Sequence, residues 1–182
     1  MNQATTLPEP VELTDFQRQF QIYVRAGYPI LYLVTAEEDR AIELICGALA
    51  AGGELAKRKP LIWSVSRGLC SADHKVINAK LQDPSHLLPG ILDYQEPAVF
   101  ILEDFHSFID ERSQGATLFM RQLRDLVTPF KAARKTVVLL SSVMKIPPEL
   151  EKDVTVMDLA MPDEAELAVI LDETVNDVKD NP

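Results

Sequence analysis

Ile30-Leu31-Tyr32-Leu33-Val34-Thr35-Ala36-Glu37-Glu38-Asp39-Arg40 is the stretch that decides how this chain is read. Five apolar residues run without interruption into an acidic segment, the signature of a buried strand passing directly into a helix. Such a joint is where a glycine-rich loop cradles phosphate in nucleotide-binding proteins. That loop needs glycines for close backbone approach, a Lys for the phosphates and a Ser or Thr for the metal. None is present, and no Gly in the chain is followed by Lys. The spacing predicts a capping box instead, with Thr35 capping the helix and Glu38 reaching back to it. Glu37, Glu38 and Asp39 would then occupy the turn whose N–H groups attract anions, and their charge would repel a triphosphate.

Outward from this joint the chain keeps an α/β rhythm. Asp15 to Ala26 reads as an amphipathic helix with Phe16, Phe20, Tyr23 and Val24 on one side, stopped by Gly27 ahead of Pro29. Five near-continuous apolar runs follow: Ile30–Thr35, Leu61–Ser66, Ala98–Glu103, Thr136–Ser142 and Val154–Leu159. Continuous hydrophobicity marks strands covered on both faces. Helical patterns lie between them, one carrying Ile42, Ile45, Cys46 and Leu49, another Phe119, Leu123, Leu126 and Phe130. The expectation is an α/β fold, an αβα sandwich around a five-stranded, mostly parallel sheet.

Composition narrows the classes. The chain has 182 residues, of which 47% are hydrophobic, enough for one domain with a substantial core. No apolar run approaches the roughly 20 residues of a membrane span, and the first ten residues lack the basic start and apolar stretch of a secretory signal. Cys46 and Cys70 are the only cysteines, which gives no disulfide framework and fits a reducing compartment. Of the net charge of −10, residues 149–182 carry −9, from eleven Asp/Glu against Lys152 and Lys179. This acidic end reads as a solvated face leading into a linker, with docking to a basic partner as the sharper alternative. No basic footprint for nucleic acid is visible.

In an open parallel sheet, sites form beyond the C-terminal ends of the strands. Val99-Phe100-Ile101-Leu102-Glu103-Asp104 is the strongest such signal. Four apolar residues ending in two carboxylates match the strand that, in nucleotide hydrolases, holds Mg²⁺ and polarises the attacking water, although the usual order is Asp then Glu. A buried strand also ends in acids simply because it surfaces. Ser141 and Ser142 end the next strand, where a polar γ-phosphate sensor would sit. No arginine follows Arg134, so the transition-state arginine that ring-forming hydrolases offer a neighbouring subunit is missing, and lysine does not reproduce its bidentate contact. Cys70, His74, Glu103, Asp104 and His106 all fall near adjacent strand ends and include metal-ligating side chains. The Cys70/His74 pair has ligand-like spacing, but its surroundings read as loop and no second pair exists, so no metal site is assigned.

Three blocks carry a family resemblance: Arg25 through Arg40, Leu102-Glu103-Asp104-Phe105-His106, and Arg134 through Thr155. Over about residues 14–175 the chain resembles the N-terminal, degenerate ATPase-like module of the AAA-type proteins of plastid and cyanobacterial genomes, the ycf-type AAA proteins. The resemblance implies the AAA sheet order 5-1-4-3-2, without the small helical lid. Residues 1–13, with two prolines and little periodicity, read as a flexible lead-in, and 176–182 read as a linker toward the downstream ATPase module that the resemblance implies. ATP and Mg are expected only in that module, and this chain is expected to hold no cofactor. The implied partners are the downstream module and other subunits, with neither nucleic acid nor membrane, in the cytoplasm or the plastid stroma.

The resulting expectation is a non-catalytic AAA-like module acting in assembly, docking or regulation of an AAA ATPase. The parent protein is expected to be an ATPase, while the isolated chain is not expected to be an enzyme, with no catalytic residue assigned. Two alternatives stand beside it. One is a weak residual nucleotide hydrolase using Glu103 and Asp104. The other is a receiver-like signalling domain with Asp104 as phosphoacceptor, although its fifth strand ends in Leu159-Ala160-Met161-Pro162, without the Lys that a receiver needs.

Overall fold

The computed structural model describes residues 13–162, and beyond them positions 164, 167, 168, 171, 172, 175 and 179. All but position 13 of the expected lead-in, all but position 179 of the expected linker, and thirteen positions of the acidic end lie outside these residues.

Helix α1 (Asp15–Ala26) forms as its sequence dictates. Thr14 and Gln17 make a reciprocal capping box, Thr14 Oγ1 accepting from the Gln17 N–H and Gln17 Oε1 from the Thr14 N–H. Gly27 closes the helix in the left-handed region at φ 78°. Phe16, Phe20 and Val24 are buried. Next come β1 (Ile30–Val34), α2 (Glu38–Ala50), β2 (Lys59–Ser64), β3 (Gly68–Ser71), β4 (Val76–Asn78) and α3 (Pro84–Asp93). The chain continues through β5 (Ala98–Glu103), α4 (His106–Ile109), α5 (Ala116–Ala133), β6 (Thr136–Ser141) and β7 (Val154–Asp158).

The sheet runs β4-β3-β2-β5-β6-β1-β7. Its five parallel strands β1, β2, β5, β6 and β7 are the five expected ones, in the expected order 5-1-4-3-2. The sheet has seven strands rather than five. The two extra are β3 and β4, a short antiparallel meander on the β2 edge. They escape an apolar-run reading because β3 has only four residues and β4 three, all exposed in β4. This order also separates the fold from the receiver alternative. Receivers run 2-1-3-4-5, with the first strand between the second and third. Here β1 lies between β6 and β7.

Alternation along each strand builds two cores. Ile30, Tyr32, Phe100, Leu102, Val137 and Leu139 pack with α3 and α5, whose Phe119, Leu123, Leu126 and Phe130 are buried as the pattern predicts. Leu31, Leu33, Val99, Ile101, Val138 and Leu140 face α1 and α2. Covering both faces is what makes these strands continuously apolar. Gln17 and Gln21 pin α1 to α2 by donating to the carbonyls of Leu44 and Ala48, at 3.2 and 2.8 Å. Cys46, expected in the core, is only partly buried at the edge of this second cluster, where burial and then Glu43 push its thiol pKa up.

The joint after β1 departs from expectation. Thr35 does not cap α2. Its Oγ1 accepts from the Glu37 N–H at 3.0 Å, a local turn of the kind Ser and Thr form. The N-cap is Glu37, with no side-chain cap, so Glu38 falls in the first helical position rather than the third and no reciprocal box closes. The connection from strand to helix is only residues 35–37.

Candidate functional site

The C-terminal ends of β1, β2, β5 and β6 converge on the acidic pair. Glu103 is the last residue of β5, its carboxylate only 10% exposed. Asp104 turns the chain in the left-handed region at φ 53°, its N–H donating to the Leu140 carbonyl at 2.9 Å and its side chain 60% exposed. Consecutive carboxylates therefore point into different environments, one into the domain and one toward solvent.

Glu103 is held by Arg67. A single guanidinium nitrogen, Nη2, donates to both carboxylate oxygens, at 3.1 and 2.9 Å. The other two nitrogens are also used, Nε on Ser64 Oγ at 3.2 Å and Nη1 against His74 Nδ1 at 3.3 Å. Arg67 thus ties β2, the β3–β4 turn and β5 together. Its position depends on the β2–β3 hairpin, where Gly68 sits at φ 75° with a would-be Cβ 2.9 Å from the Asn78 carbonyl oxygen. Both the backbone sign and the contact call for glycine there.

Glu38 approaches the same cluster from α2. Burial pushes its pKa up, with the charges of Glu103, Asp104 and Asp39 adding to it and Arg67 opposing. The face that would receive phosphate thus gathers carboxylates, and the guanidinium beside them is committed to Glu103.

Ser141 is buried and faces inward. Its Oγ lies 2.7 Å from His106 Nδ1 and 3.0 Å from the Val143 carbonyl, and the Val143 N–H donates back at 3.2 Å. Asp104 Oδ1 approaches the same His106 nitrogen at 3.6 Å. With Ser141 and Asp104 sharing one nitrogen, this is not a nucleophile–base–acid relay, which uses both ring nitrogens. The loop after β6 is fastened as well. Tyr32 Oη donates to the Val143 carbonyl at 2.8 Å and accepts from the Lys145 N–H at 3.1 Å, while Lys145 Nζ pairs with Asp110 at 2.8 Å. The segment from which a ring-forming hydrolase extends an arginine is here folded back onto its own domain.

The candidate metal ligands do not assemble. The Cys70 thiol is buried against the Gly68 carbonyl at 3.8 Å, and His74 is engaged by Arg67. Among the described residues no group of three His, Cys, Asp or Glu side chains is placed to hold a metal ion. Sequence reading found Glu103, Asp104 and Ser141 at this pole but missed Arg67, His106 as the Ser141 partner, and Tyr32. A Ser-Arg-Gly turn directly after a strand was the available signal for Arg67.

Comparison with known proteins agrees with this fold. The family model described as "SpoVK-like AAA ATPase, N-terminal domain" matches residues 16–159. The AAA domain-containing protein ycf46 of Guillardia theta is 27% identical over 154 residues, covering 84% of this chain and 29% of that protein. Its counterpart in Trieres chinensis is 29% identical over 163 residues, covering 88% and 31%. This chain therefore spans about 30% of the length of these relatives. Among solved structures, the ORC2 protein of Aeropyrum pernix superposes with a TM-score of 0.51 at 15% identity, covering 90% of this chain and 52% of that one, a likeness of fold. By the match over residues 16–159, the chain belongs to the family of SpoVK-like AAA ATPase N-terminal domains.

Proposed function

We propose that this chain is a non-catalytic AAA-type module that serves assembly, docking or regulation of an ATPase module carried further along the same polypeptide. The observation that carries this reading is the β1–α2 joint. Three residues, Thr35, Ala36 and Glu37, connect strand to helix, none of them glycine. A phosphate loop spans eight positions and presents backbone N–H groups to the ligand. Here Glu38 enters the same space beside Glu103 and Asp104. Arg67 already neutralises Glu103, the carboxylate that a hydrolase would keep for its metal or its water.

Loss of a surface loop leaves the packing of an AAA sheet intact, so the module keeps its surfaces for neighbours while losing its chemistry. The relatives support the arrangement in a longer chain, since each is named for an AAA domain and extends well beyond the matched part. The test is excision of this module from the parent polypeptide. The expected result is lost assembly or altered regulation of turnover, with nucleotide binding by the remaining part retained. Unchanged assembly and unchanged turnover would contradict the proposal.

A further inference from the structure

The opposite pole of the sheet, where the strands begin, is basic. Lys57, Arg58 and Lys59 lead into β2, and Arg134 and Lys135 lead into β6. Most of these cations have partners. Lys57 pairs with Glu54 at 2.9 Å and Lys59 with Glu96 at 2.6 Å. The Lys135 ammonium donates to the carbonyls of Ile91 and Leu92, at 3.3 and 3.1 Å, and lies over the Phe130 ring.

Arg58 differs. It is only 8% exposed, and its Nη1 is buried with no hydrogen-bond partner among the described residues. Burial, and then the neighbouring charge of Arg134, push its pKa down. A guanidinium remains charged across the physiological range even so. The result is a buried cation with a second cation for a neighbour and no described carboxylate paired with it. Glu54, whose pKa the Arg134 charge helps lower, is already held by Lys57. Arg134 itself is exposed, standing in the left-handed region at φ 54° where α5 ends.

Such an arrangement is costly without a counterion. A buried, uncompensated charge is strongly destabilising, and native proteins rarely leave one. A trapped water would satisfy the orphan N–H but would not neutralise the charge. A buried guanidinium N–H without a partner, near enough to feel the charge of Arg134, suits a compact oxyanion, a phosphate or carboxylate group.

We propose that Arg58 and Arg134 form an oxyanion-binding site at the strand-entry pole, remote from the acidic cluster around Glu103. Arg58 supplies the desolvated, charge-assisted hydrogen bonds, and Arg134 closes over the anion from the surface. The site is independent of whether the module binds nucleotide, because it lies at the other end of the strands.

The test uses the full chain, with inorganic phosphate and acetate as probes at ionic strength matched with sodium chloride. Phosphate is expected to bind in calorimetry and to raise the melting temperature above the chloride control. Arg134→Gln should weaken binding roughly tenfold or more, the scale of one charged hydrogen bond. Arg58→Met should abolish binding and, in chloride, melt no lower than wild type, because a buried unpaired charge has been removed. Acetate binding as tightly as phosphate would assign the site to carboxylate side chains, and phosphate alone would assign it to phosphate groups; either outcome upholds the site. No response to either anion beyond chloride would overturn it, as would Arg134→Gln binding phosphate as tightly as wild type. Arg134 is exposed, so its variant carries the test should Arg58→Met fail to fold.

Discussion

Arg67 Nη2 lies 3.1 and 2.9 Å from the two carboxylate oxygens of Glu103, closing an ion pair across the end of the sheet. It joins the β2–β3 turn, which leads out of the five-strand parallel core, to the strand carrying the acidic motif. Because Glu103 is largely buried and Arg67 is bonded at all three nitrogens, this contact is structural as well as electrostatic. Arg67→Ala should lower stability by roughly 1–2 kcal/mol, the cost of leaving a mostly buried carboxylate without its donor. Denaturant melts would check this. Arg67→Lys should recover only part of the loss, since one ammonium does not reach Ser64, His74 and Glu103 together.

The hairpin that delivers Arg67 turns on Gly68. Gly68→Ala should destabilise by about 1–3 kcal/mol, combining a positive φ with a backbone clash against the Asn78 carbonyl. Gly27→Ala is the control. Its φ of 78° is similar, but a Cβ there meets nothing within 4 Å, so its cost should stay near 1 kcal/mol. Equal losses for the two variants would show that the close approach at Gly68 has no weight.

Glu38 makes the acidic face sensitive to pH. Its pKa is raised in the folded chain by burial and by Glu103 and Asp104, so between its ordinary value of 4.5 and the raised one the folded state binds more protons than the unfolded. Stability from this group is therefore greatest at low pH and falls as pH rises through that window. Glu38→Gln should melt higher than wild type at pH 7, with the difference shrinking below about pH 4.5 as Glu38 becomes protonated in both states. Thermal melts at the two pH values would show it. A variant less stable than wild type at pH 7 would contradict the repulsion.

The parallel core was legible because covered strands must be apolar on both faces, so Ile30–Val34, Ala98–Glu103 and Thr136–Ser141 stand out from their surroundings. Helix α1 was legible for a similar reason, with its apolar stripe and Gly27 marking its face and its end. The β3–β4 meander was not, since a strand of four residues followed by an exposed one of three leaves no apolar run. The start of α2 was misread because Thr35 has two local options, and the turn bond to the Glu37 N–H wins over capping the helix. At the acidic pole, Glu103 and Asp104 were visible as strand-end acids. Arg67 was not, because its role arises from a hairpin that brings residues 36 positions apart into contact.

This AAA-shaped sheet presents an acidic face, with Glu103 paired to Arg67, where a phosphate cradle would be. Titration of Mg-ATP into the purified chain by calorimetry tests it most directly. The predicted result is no saturable heat at micromolar nucleotide and no turnover. Micromolar affinity, or a turnover that disappears when Glu103 and Asp104 are replaced by Ala, would contradict it.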